Sequence, residues 1–255
     1  MVYRQFAYYY DKLMADVPYG QWIEFAEQCW EKYGHPRTVV DLGCGTGNIT
    51  LPLAQKGLEI IAIDLSEDML AAGQQKLGGM KRAQANGSVT WLQQDMREWE
   101  FPTAVDSVIS FCDCLNYLLE EEDVKQTFAQ VYGGLKPGGT FIFDVHSPQQ
   151  LEIYAGEQPF MLNEEDIAYI WTCELDGDRC EIEHSLTIFA KEDNEKFCRI
   201  EEFHKQRAYP VEGLRNWLIA AGFSKVNVCA DFGWDAPTDE SRRIFFVAEK
   251  QSHQI

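Results

Sequence analysis

The chain has 255 residues and a formal net charge of −19, which disfavours a nucleic-acid-binding protein because such proteins need a basic surface, although a local basic patch stays possible. No apolar run approaches the ~20 residues of a membrane-spanning helix and the first residues are not signal-like, so we expect a soluble, cytoplasmic protein without a membrane partner. Eight cysteines without any C-x-x-C pair predict reduced thiols, and neither a disulfide framework nor a metal site.

Two helices are predicted ahead of the first strand. The segments from Tyr3 to Asp16 and from Gln21 to Tyr33 repeat aromatic and apolar residues at helical spacing. Pro18 and Gly20 break the pattern between them. Most of these aromatic side chains are expected to pack in the core.

A glycine-rich turn follows a short β-branched strand in the segment from Thr38 to Thr50, T-V-V-D-L-G-C-G-T-G-N-I-T. Glycine allows positive φ and lets a ligand approach the backbone without meeting a Cβ. The helix that opens after the turn offers free N–H groups and a partial positive charge to an anionic group. The G-x-G-x-G spacing differs from the dinucleotide fingerprint G-x-G-x-x-G. The stretch therefore predicts a nucleotide-type ligand site.

The letters D-L-G-C-G-T-G-N resemble motif I of the class I S-adenosylmethionine-dependent methyltransferases. This resemblance extends roughly from Tyr3 to Pro148 and again, with generic features only, from Val211 to Lys250. It implies S-adenosylmethionine as the cofactor and S-adenosylhomocysteine as the product. The motif residues implied to contact the cofactor are Asp41, Gly43, Cys44, Gly45 and Gly47.

The N-terminal pattern F-A-x-x-Y-D-x-x-M, followed by P-Y-x-x-W, resembles the N-terminal cap of small-molecule methyltransferases. In those enzymes an aromatic hydroxyl and a tryptophan commonly close over the methionine end of the cofactor. The resemblance assigns these roles to Tyr10 and Trp22. Packing in the core is the alternative for both.

An acidic residue ends the second predicted strand, which runs from Leu58 to Ile63. Asp64 lies about 20 positions beyond the glycines, where a carboxylate can accept both ribose hydroxyl protons. We include Leu65 and Met69 beside it in the predicted cofactor contact. Asp64 is also suited to favour the start of the next helix, predicted from Ser66 to Gln84, and both roles can hold.

A second acidic residue follows the third predicted strand, Val89 to Leu92. The resemblance implies that Asp95 meets the adenine amino group and that Met96 packs on the adenine ring. An exposed loop carboxylate is the alternative for Asp95.

The loop after the fourth predicted strand, Val105 to Ser110, resembles the floor of a methyl-transfer site. Its sequence F-C-D-C-L-N-Y-L contains Cys112 and Asp113, which we assign to the cofactor, and Tyr117, a candidate catalytic residue. We expect three residues of this loop to face either the cofactor amino group or the acceptor, namely Asp113, Asn116 and Tyr117.

A helix from Glu120 to Leu135 and the turn L-K-P-G-G lead to a fifth strand, Thr140 to Val145. His146 follows this strand at its carboxyl end, where such sheets bind ligands. It is a candidate general base, and a structural hydrogen bond is the equal alternative.

The segment from Pro148 to Tyr209 interrupts the alternation of strands and helices. Three β-rich runs, separated by D-G-D and K-E-D-N-E-K turns, predict three antiparallel strands. Their bounds are Ile167 to Leu175, Cys180 to Ala190 and Phe197 to Tyr209. By position and pattern this insertion resembles the antiparallel lid of glycine and sarcosine N-methyltransferase-like enzymes. A helix from Val211 to Ala221 and two strands, Phe223 to Ala230 and Arg242 to Lys250, complete the core.

The predicted fold is an α/β, Rossmann-like sheet of seven mostly parallel strands with helices on both faces, plus the inserted antiparallel β-lid. Residues 1–150 and 210–255 form the predicted core, and residues 151–209 form the lid. The predicted activity is transfer of a methyl group to nitrogen or oxygen of a small soluble acceptor by in-line displacement. Arg199, Lys205 and Arg207 make a carboxylate-bearing acceptor plausible. Alternatives are a nucleotide-binding oxidoreductase on a related sheet and a non-catalytic module that binds S-adenosylmethionine.

Overall fold

The protein is built on a central sheet of seven strands. The structure, a computed structural model, describes residues 9–79, 86–192 and 196–252. The order across the sheet is β10-β11-β5-β4-β1-β2-β3, and all neighbours are parallel except β11, which runs antiparallel to β5 and β10. The strand bounds are β1 Thr38–Leu42, β2 Glu59–Asp64, β3 Ser88–Gln93, β4 Val105–Ser110, β5 Leu135–His146, β10 Phe223–Ala230 and β11 Arg243–Lys250. The predicted fold class is confirmed.

Helices cover both faces of this sheet. Their bounds are α1 Tyr19–Tyr33, α2 Thr50–Gln55, α3 Glu67–Gly79, α4 Glu121–Gly134, α5 Pro148–Glu157 and α6 Val211–Ala221. On one face, α4 and α6 pack with alternate residues of the central strands into the larger core, which includes Phe128, Phe141 and Leu218. On the other face, α1 and α2 form a second core around Phe25 and Phe245. Central strands buried on both faces explain their unbroken apolar sequences.

A second, antiparallel sheet of four strands is inserted between β5 and α6. Its order is β6-β7-β8-β9, with bounds Phe160–Asn163, Ile167–Asp176, Glu181–Lys191 and Phe197–Arg207. We call this sheet the lid. Alternate residues of β8 and β9 are buried, so one face of the lid is covered and the other is exposed. The covered face is called the inner face below.

The prediction of a three-stranded insertion was incomplete, because it missed α5 and β6. Helix α5 begins with a proline after Ser147, whose hydroxyl accepts a hydrogen bond from Gln150 N at 3.2 Å. Ser-Pro is a helix-start signal. However, Leu151 is the one buried residue of this helix, so the sequence has no periodic apolar face that would predict it. Strand β6 has four residues and is too short to give a clear alternation.

Several predicted boundaries also differ from the structure. Helix α1 begins at Tyr19, two residues earlier than predicted, and β5 begins at Leu135, within the predicted turn. Residues 3–8 of the first predicted helix and residues 80–84 of the helix predicted from Ser66 to Gln84 lie outside the described residues. Of the first, residues 9–13 are helical. Across the described ranges, no helix is long and apolar enough to cross a membrane.

Candidate functional site

The glycine turn after β1 leaves an open space at its middle. Gly43, Gly45 and Gly47 all have positive φ, at 73°, 53° and 79°. A Cβ built on Gly47 would approach the Trp91 ring to 2.6 Å, so this glycine makes room for packing. A Cβ on Gly45 would meet no atom of the described residues within 4 Å. Gly45 is therefore the point where the backbone is open to a ligand.

Asp64 lies directly against this opening. At the end of β2, its Oδ2 accepts a hydrogen bond from Gly45 N at 2.8 Å, and its Oδ1 accepts one from Ser66 N at 2.8 Å. Burial raises the pKa of this carboxyl, while the two backbone donors oppose the rise. Leu65, the next residue, is exposed, and Met69 packs partly buried against the lid. The arrangement brings three of the predicted cofactor residues to the edge of the glycine turn.

Hydrogen bonds to α2 and β2 hold Asp41 and the start of the turn in place. The Asp41 side chain is buried and its Oδ2 accepts from Thr50 Oγ1 at 2.5 Å, which ties β1 to α2. Burial raises the pKa of Asp41 to about 7. The N–H groups of Gly43 and Cys44 both donate to Ile63 O, at 2.8 and 3.1 Å. These contacts fix the path of the turn.

Asp95 is an ionised acceptor beside the end of β3. Its Oδ1 accepts from the Arg97 backbone N and from Arg97 Nε, both at 2.9 Å. The Arg97 guanidinium lowers the pKa of Asp95 and also contacts Asp123 at 3.1 Å. Met96 packs partly buried against the larger core. The loop that carries both residues predicted to contact adenine is therefore held by the contacts of Asp95 with Arg97 and of Met96 with the core.

A buried carboxylate, Asp144, organises the loop after β4. It accepts hydrogen bonds from Cys112 N at 2.8 Å, from Asp113 N at 3.2 Å and from Trp22 Nε1 at 2.9 Å, and it pairs with Arg243. Cys112 and Asp113 both have positive φ, at 59° and 55°, a conformation that costs free energy for residues other than glycine. Asp144 stabilises this backbone by receiving both of its N–H groups.

Neither Asp144 nor Arg243 was predicted as a site residue. The signal for Asp144 was a lone acidic residue within the apolar run of β5, where a charge is retained only with partners. Arg243 begins β11, and its partners come from distant parts of the chain.

His146 is brought to Asp113 by the same network. Its Nε2 lies 2.7 Å from Arg243 Nη2 and 3.4 Å from Asp113 Oδ1. Burial lowers the pKa of His146 to about 4, so the ring is neutral at neutral pH. A neutral ring that accepts from Arg243 at Nε2 carries its proton on Nδ1. Within the described residues this Nδ1 is buried without a hydrogen-bond partner.

The two neighbours in the same loop differ in their accessibility. Asn116 is buried and bonded to backbone, since its Oδ1 accepts from His146 N at 2.9 Å and its Nδ2 donates to Arg207 O at 2.9 Å. Tyr117 is 48% exposed, and its ring lies edge-on to His204 of the lid with centroids 6.0 Å apart. Of this pair, Tyr117 is the one placed to meet a ligand.

Trp22 and Tyr10 belong to different apolar clusters. Trp22 is buried, with its ring edge-on to Phe232 and its Nε1 bonded to Asp144. Tyr10 is partly buried and packs against the lid cluster of Ile167, Ile188 and Ile200. Burial raises the pKa of the Tyr10 hydroxyl well above its usual value, so it stays protonated.

The inner face of the lid lies over these strand ends. Gln206 Nε2 of β9 donates to Asp113 Oδ2 at 2.7 Å, and His204 meets Tyr117. The three lid cations that suggested a carboxylate-bearing acceptor are engaged elsewhere. Arg199 and Lys205 are ion-paired with exposed Glu201 and Glu183, and Arg207 donates to Leu119 O at 2.8 Å.

No group of three His, Cys, Asp or Glu side chains in the described part of the chain is arranged to hold a metal ion. The Cys114 Sγ contacts Gly43 O at 3.3 Å, so this sulfur packs against the glycine turn.

Two relatives that match nearly the whole chain are methyltransferases by name. The profile of a family described as "Methyltransferase domain" matches residues 39–139. A relative from Geobacillus sp. (strain WCH70), named as a "Putative methyltransferase", is 40% identical over 252 residues, covering 98% of this chain and 100% of the relative. "Putative methyltransferase YqeM" of Bacillus subtilis (strain 168) is 39% identical over 251 residues, covering 98% of each.

Two solved structures of methyltransferases have folds similar to that of this chain. The crystal structure of an S-adenosylmethionine-dependent methyltransferase from Clostridium acetobutylicum ATCC 824 superposes with a TM-score of 0.83 at 27% identity, covering 99% of this chain and 100% of that chain. A sugar N-methyltransferase, KedS8 from Streptoalloteichus sp. ATCC 53650, shares the fold at 17% identity, with a TM-score of 0.76 and coverage of 96% and 93%.

Proposed function

Because the chain belongs to the class I S-adenosylmethionine-dependent methyltransferases, we propose that it methylates nitrogen or oxygen of a small acceptor held under the lid. S-adenosylmethionine would be the methyl donor and S-adenosylhomocysteine the product. Family membership removes the basis for the oxidoreductase alternative. The glycine-rich turn belongs to a methyltransferase motif, and its spacing differs from the dinucleotide fingerprint.

One observation carries the placement of the cofactor, namely the open space at Gly45 beside the Asp64 carboxylate. A nucleoside needs close approach to the backbone and an acceptor for its ribose hydroxyls, and this edge of the sheet offers both. Asp95 follows β3, the strand next to the one that ends in Asp64. Its ionised carboxylate is proposed to accept a hydrogen bond from the adenine amino group. The residues present therefore fit an adenosyl group.

The remaining cofactor contacts are proposed from their positions around this opening. They come from the glycine turn, from the start of α3, from the loops after β3 and β4 and from the segments that close over them. The residues are Tyr10, Trp22, Asp41, Gly43, Cys44, Gly47, Leu65, Met69, Met96, Cys112 and Asp113.

The bound cofactor supplies an already activated methyl group, so the protein chiefly has to hold the acceptor in line. Tyr117 is proposed as a catalytic residue because its ring stands half-exposed between the strand ends and the lid. His146 is proposed to act on the acceptor side through its Nδ1–H, which is a donor. With a pKa of about 4 it has little tendency to take a proton at neutral pH.

A small acceptor is favoured over a nucleic acid by the charge of the chain and by the lid. The formal net charge of −19 repels a polyphosphate. The lid cations Arg199 and Lys205 are neutralised by neighbouring glutamates, so they form no basic surface by themselves. A lid that lies over the strand ends would enclose the acceptor, which suits a compact molecule.

The test of the cofactor assignment is titration calorimetry with S-adenosylhomocysteine on the parent, on Asp64→Ala and on Asp239→Ala. Asp239 is an exposed residue of the loop between β10 and β11 and serves as the matched control. Loss of a hydrogen-bonded carboxylate should cost about 1–3 kcal/mol, which is one to two decades of affinity. Asp239→Ala should bind like the parent, and NAD should not bind.

Transfer of a labelled methyl group to a panel of small amines, phenols and carboxylates then separates an enzyme from a non-catalytic binding module. Equal affinity of Asp64→Ala and the parent would contradict the ribose assignment. Cofactor binding without any methyl transfer would favour the regulatory module.

A further inference from the structure

The inner face of the lid carries a buried carboxylate that nothing in the described residues neutralises. Glu202 of β9 is 5% exposed, and its Oε1 has no hydrogen-bond partner in the part of the chain that the structure describes. None of the ion pairs formed among those residues includes Glu202. Across the sheet it faces Leu186 of β8, an apolar neighbour. An isolated buried carboxylate is costly and calls for an explanation.

The alternation of β9 shows which space Glu202 faces. Ile200, His204 and Gln206 share its parity and therefore its face of the sheet. Ile200 packs with Tyr10 and Met69 at one end of this row.

At the other end of the row, His204 meets the Tyr117 ring and Gln206 bonds to Asp113. Glu202 lies between these two ends. Its carboxylate consequently lies on the inner face of the lid, under which the acceptor is proposed to bind.

Two cations near the proposed cofactor site, Arg243 and Lys76, pair with other carboxylates. Arg243 is paired with Asp113 and Asp144, and Lys76 with Asp11. Burial raises the pKa of the Glu202 carboxyl, with no charged neighbour to oppose the rise. Among the described residues, the Glu202 Oε1 atom thus lacks a hydrogen-bond donor and the carboxylate lacks an ion-pair partner.

We propose that Glu202 recognises a protonated amine on the acceptor, so that the substrate class is a small cationic amine. This rests on the proposed function, since it assumes an acceptor bound under the lid. An ammonium group would supply the hydrogen bonds and the charge that the carboxylate lacks. The net charge of −19 draws cations toward the protein.

The experiment compares the parent, Glu202→Gln, Glu202→Asp and Glu174→Gln. Glu174 is an exposed glutamate on the outer face of β7 in the same sheet, so its variant carries the same change of charge. Each protein is saturated with S-adenosylhomocysteine and titrated with amines and their hydroxyl counterparts. The probe pairs are cyclohexylamine with cyclohexanol, glucosamine with glucose, and tyramine with 4-(2-hydroxyethyl)phenol.

In the parent and in Glu174→Gln, at least one amine should bind about tenfold or more tightly than its hydroxyl partner. In Glu202→Gln this preference should disappear, and in Glu202→Asp, which keeps the charge, it should persist in weakened form. Without any amine, Glu202→Gln should melt roughly 2–4 °C above the parent because an uncompensated charge has been removed. S-adenosylhomocysteine binding should be unchanged in all variants.

Two results would overturn the inference while leaving the proposed function intact. The first is S-adenosylhomocysteine binding without any preference for amines in the parent, and the second is an amine preference that survives in Glu202→Gln. If the parent binds neither S-adenosylmethionine nor its product, the proposed function fails and this inference fails with it.

Discussion

Single residues at the ends of the parallel strands set the geometry of the site. Asp144 is fully buried, and burial raises its pKa even though Arg243 opposes the rise. The pair is stable because the carboxylate also receives the N–H groups of Cys112 and Asp113. A charge that would be costly alone instead holds two residues in a left-handed backbone conformation.

Gly45 and Gly47, two of the three glycines of the turn after β1, should respond differently to substitution. Gly45→Ala places a Cβ in the open space, so it should weaken S-adenosylhomocysteine binding about tenfold or more, with a stability loss of about 1–2 kcal/mol from its positive φ. Gly47→Ala should destabilise the fold more, because its Cβ would meet the Trp91 ring at 2.6 Å. Calorimetric titration and urea unfolding measure the two effects separately. A Gly45→Ala variant with parental affinity would place the ligand elsewhere.

At the scale of elements, the segment before α1 is fastened to the glycine turn by one carboxylate. Asp11 Oδ1 accepts from Thr46 Oγ1 at 2.6 Å and from Asn48 Nδ2 at 3.1 Å, and its Oδ2 pairs with Lys76 of α3 at 2.8 Å. Burial by itself would raise the pKa of Asp11, but Lys76 and Thr46 hold it below its ordinary value. The segment that carries Tyr10 is therefore attached across the proposed cofactor site.

Asp11→Ala should release this segment with little effect on the core. We expect S-adenosylhomocysteine affinity to fall about three- to tenfold, consistent with roughly 1 kcal/mol for a partly exposed ionic contact. Limited proteolysis should cut the N-terminal segment faster than in the parent. Asp16→Ala, a change at an exposed residue of the same segment, is the control and should behave like the parent. Parental affinity and protection in Asp11→Ala would show that the segment closes without this contact.

For the whole molecule, the division into core and lid stays a proposal that the packing makes more specific. Two small cores lie at the lid, one around Ile188, which includes Tyr10 and Met69 from outside the lid, and one around Ile182. Tyr209, at the predicted lid boundary, belongs to the larger core, where its ring packs on Trp217 and its hydroxyl donates to Leu118 O at 2.6 Å. The lid therefore ends before Tyr209.

Replacement of residues 151–207 by a short Gly/Ser linker should leave a core that binds S-adenosylhomocysteine and has lost acceptor turnover. The same replacement extended through Tyr209 should lower the free energy of unfolding by about 3–5 kcal/mol more, since it removes a buried aromatic residue from the core. Urea unfolding and calorimetric titration of both proteins test this. Failure of the shorter deletion to fold would show that the lid is part of the structural core.

Sequence patterns were sufficient to predict the family, the seven-stranded fold and the strand ends that carry the candidate site residues. Motifs such as D-L-G-C-G-T-G-N encode local backbone geometry, and buried parallel strands have continuous apolar sequences, so both are visible in a single stretch. Strand β4 was predicted with the bounds that the structure has, Val105–Ser110. Helix α5 and strand β6 are short or weakly patterned, and they were missed because they are stabilised by contacts with β7 that no local pattern shows.

The contacts between distant side chains could not be predicted from the sequence. Arg243 lies 99 positions from Asp144 in sequence and 130 from Asp113, and Gln206 lies 93 from Asp113, so no local pattern links them. His146 is predicted at the strand end from sequence, but its neutral state follows from burial beside Arg243. In the sequence Glu202 is one of two adjacent glutamates, and the pleat of β9 turns it inward while Glu201 is exposed. Long-range contacts and desolvation arise only when separate elements pack, and they assign the chemistry of these residues.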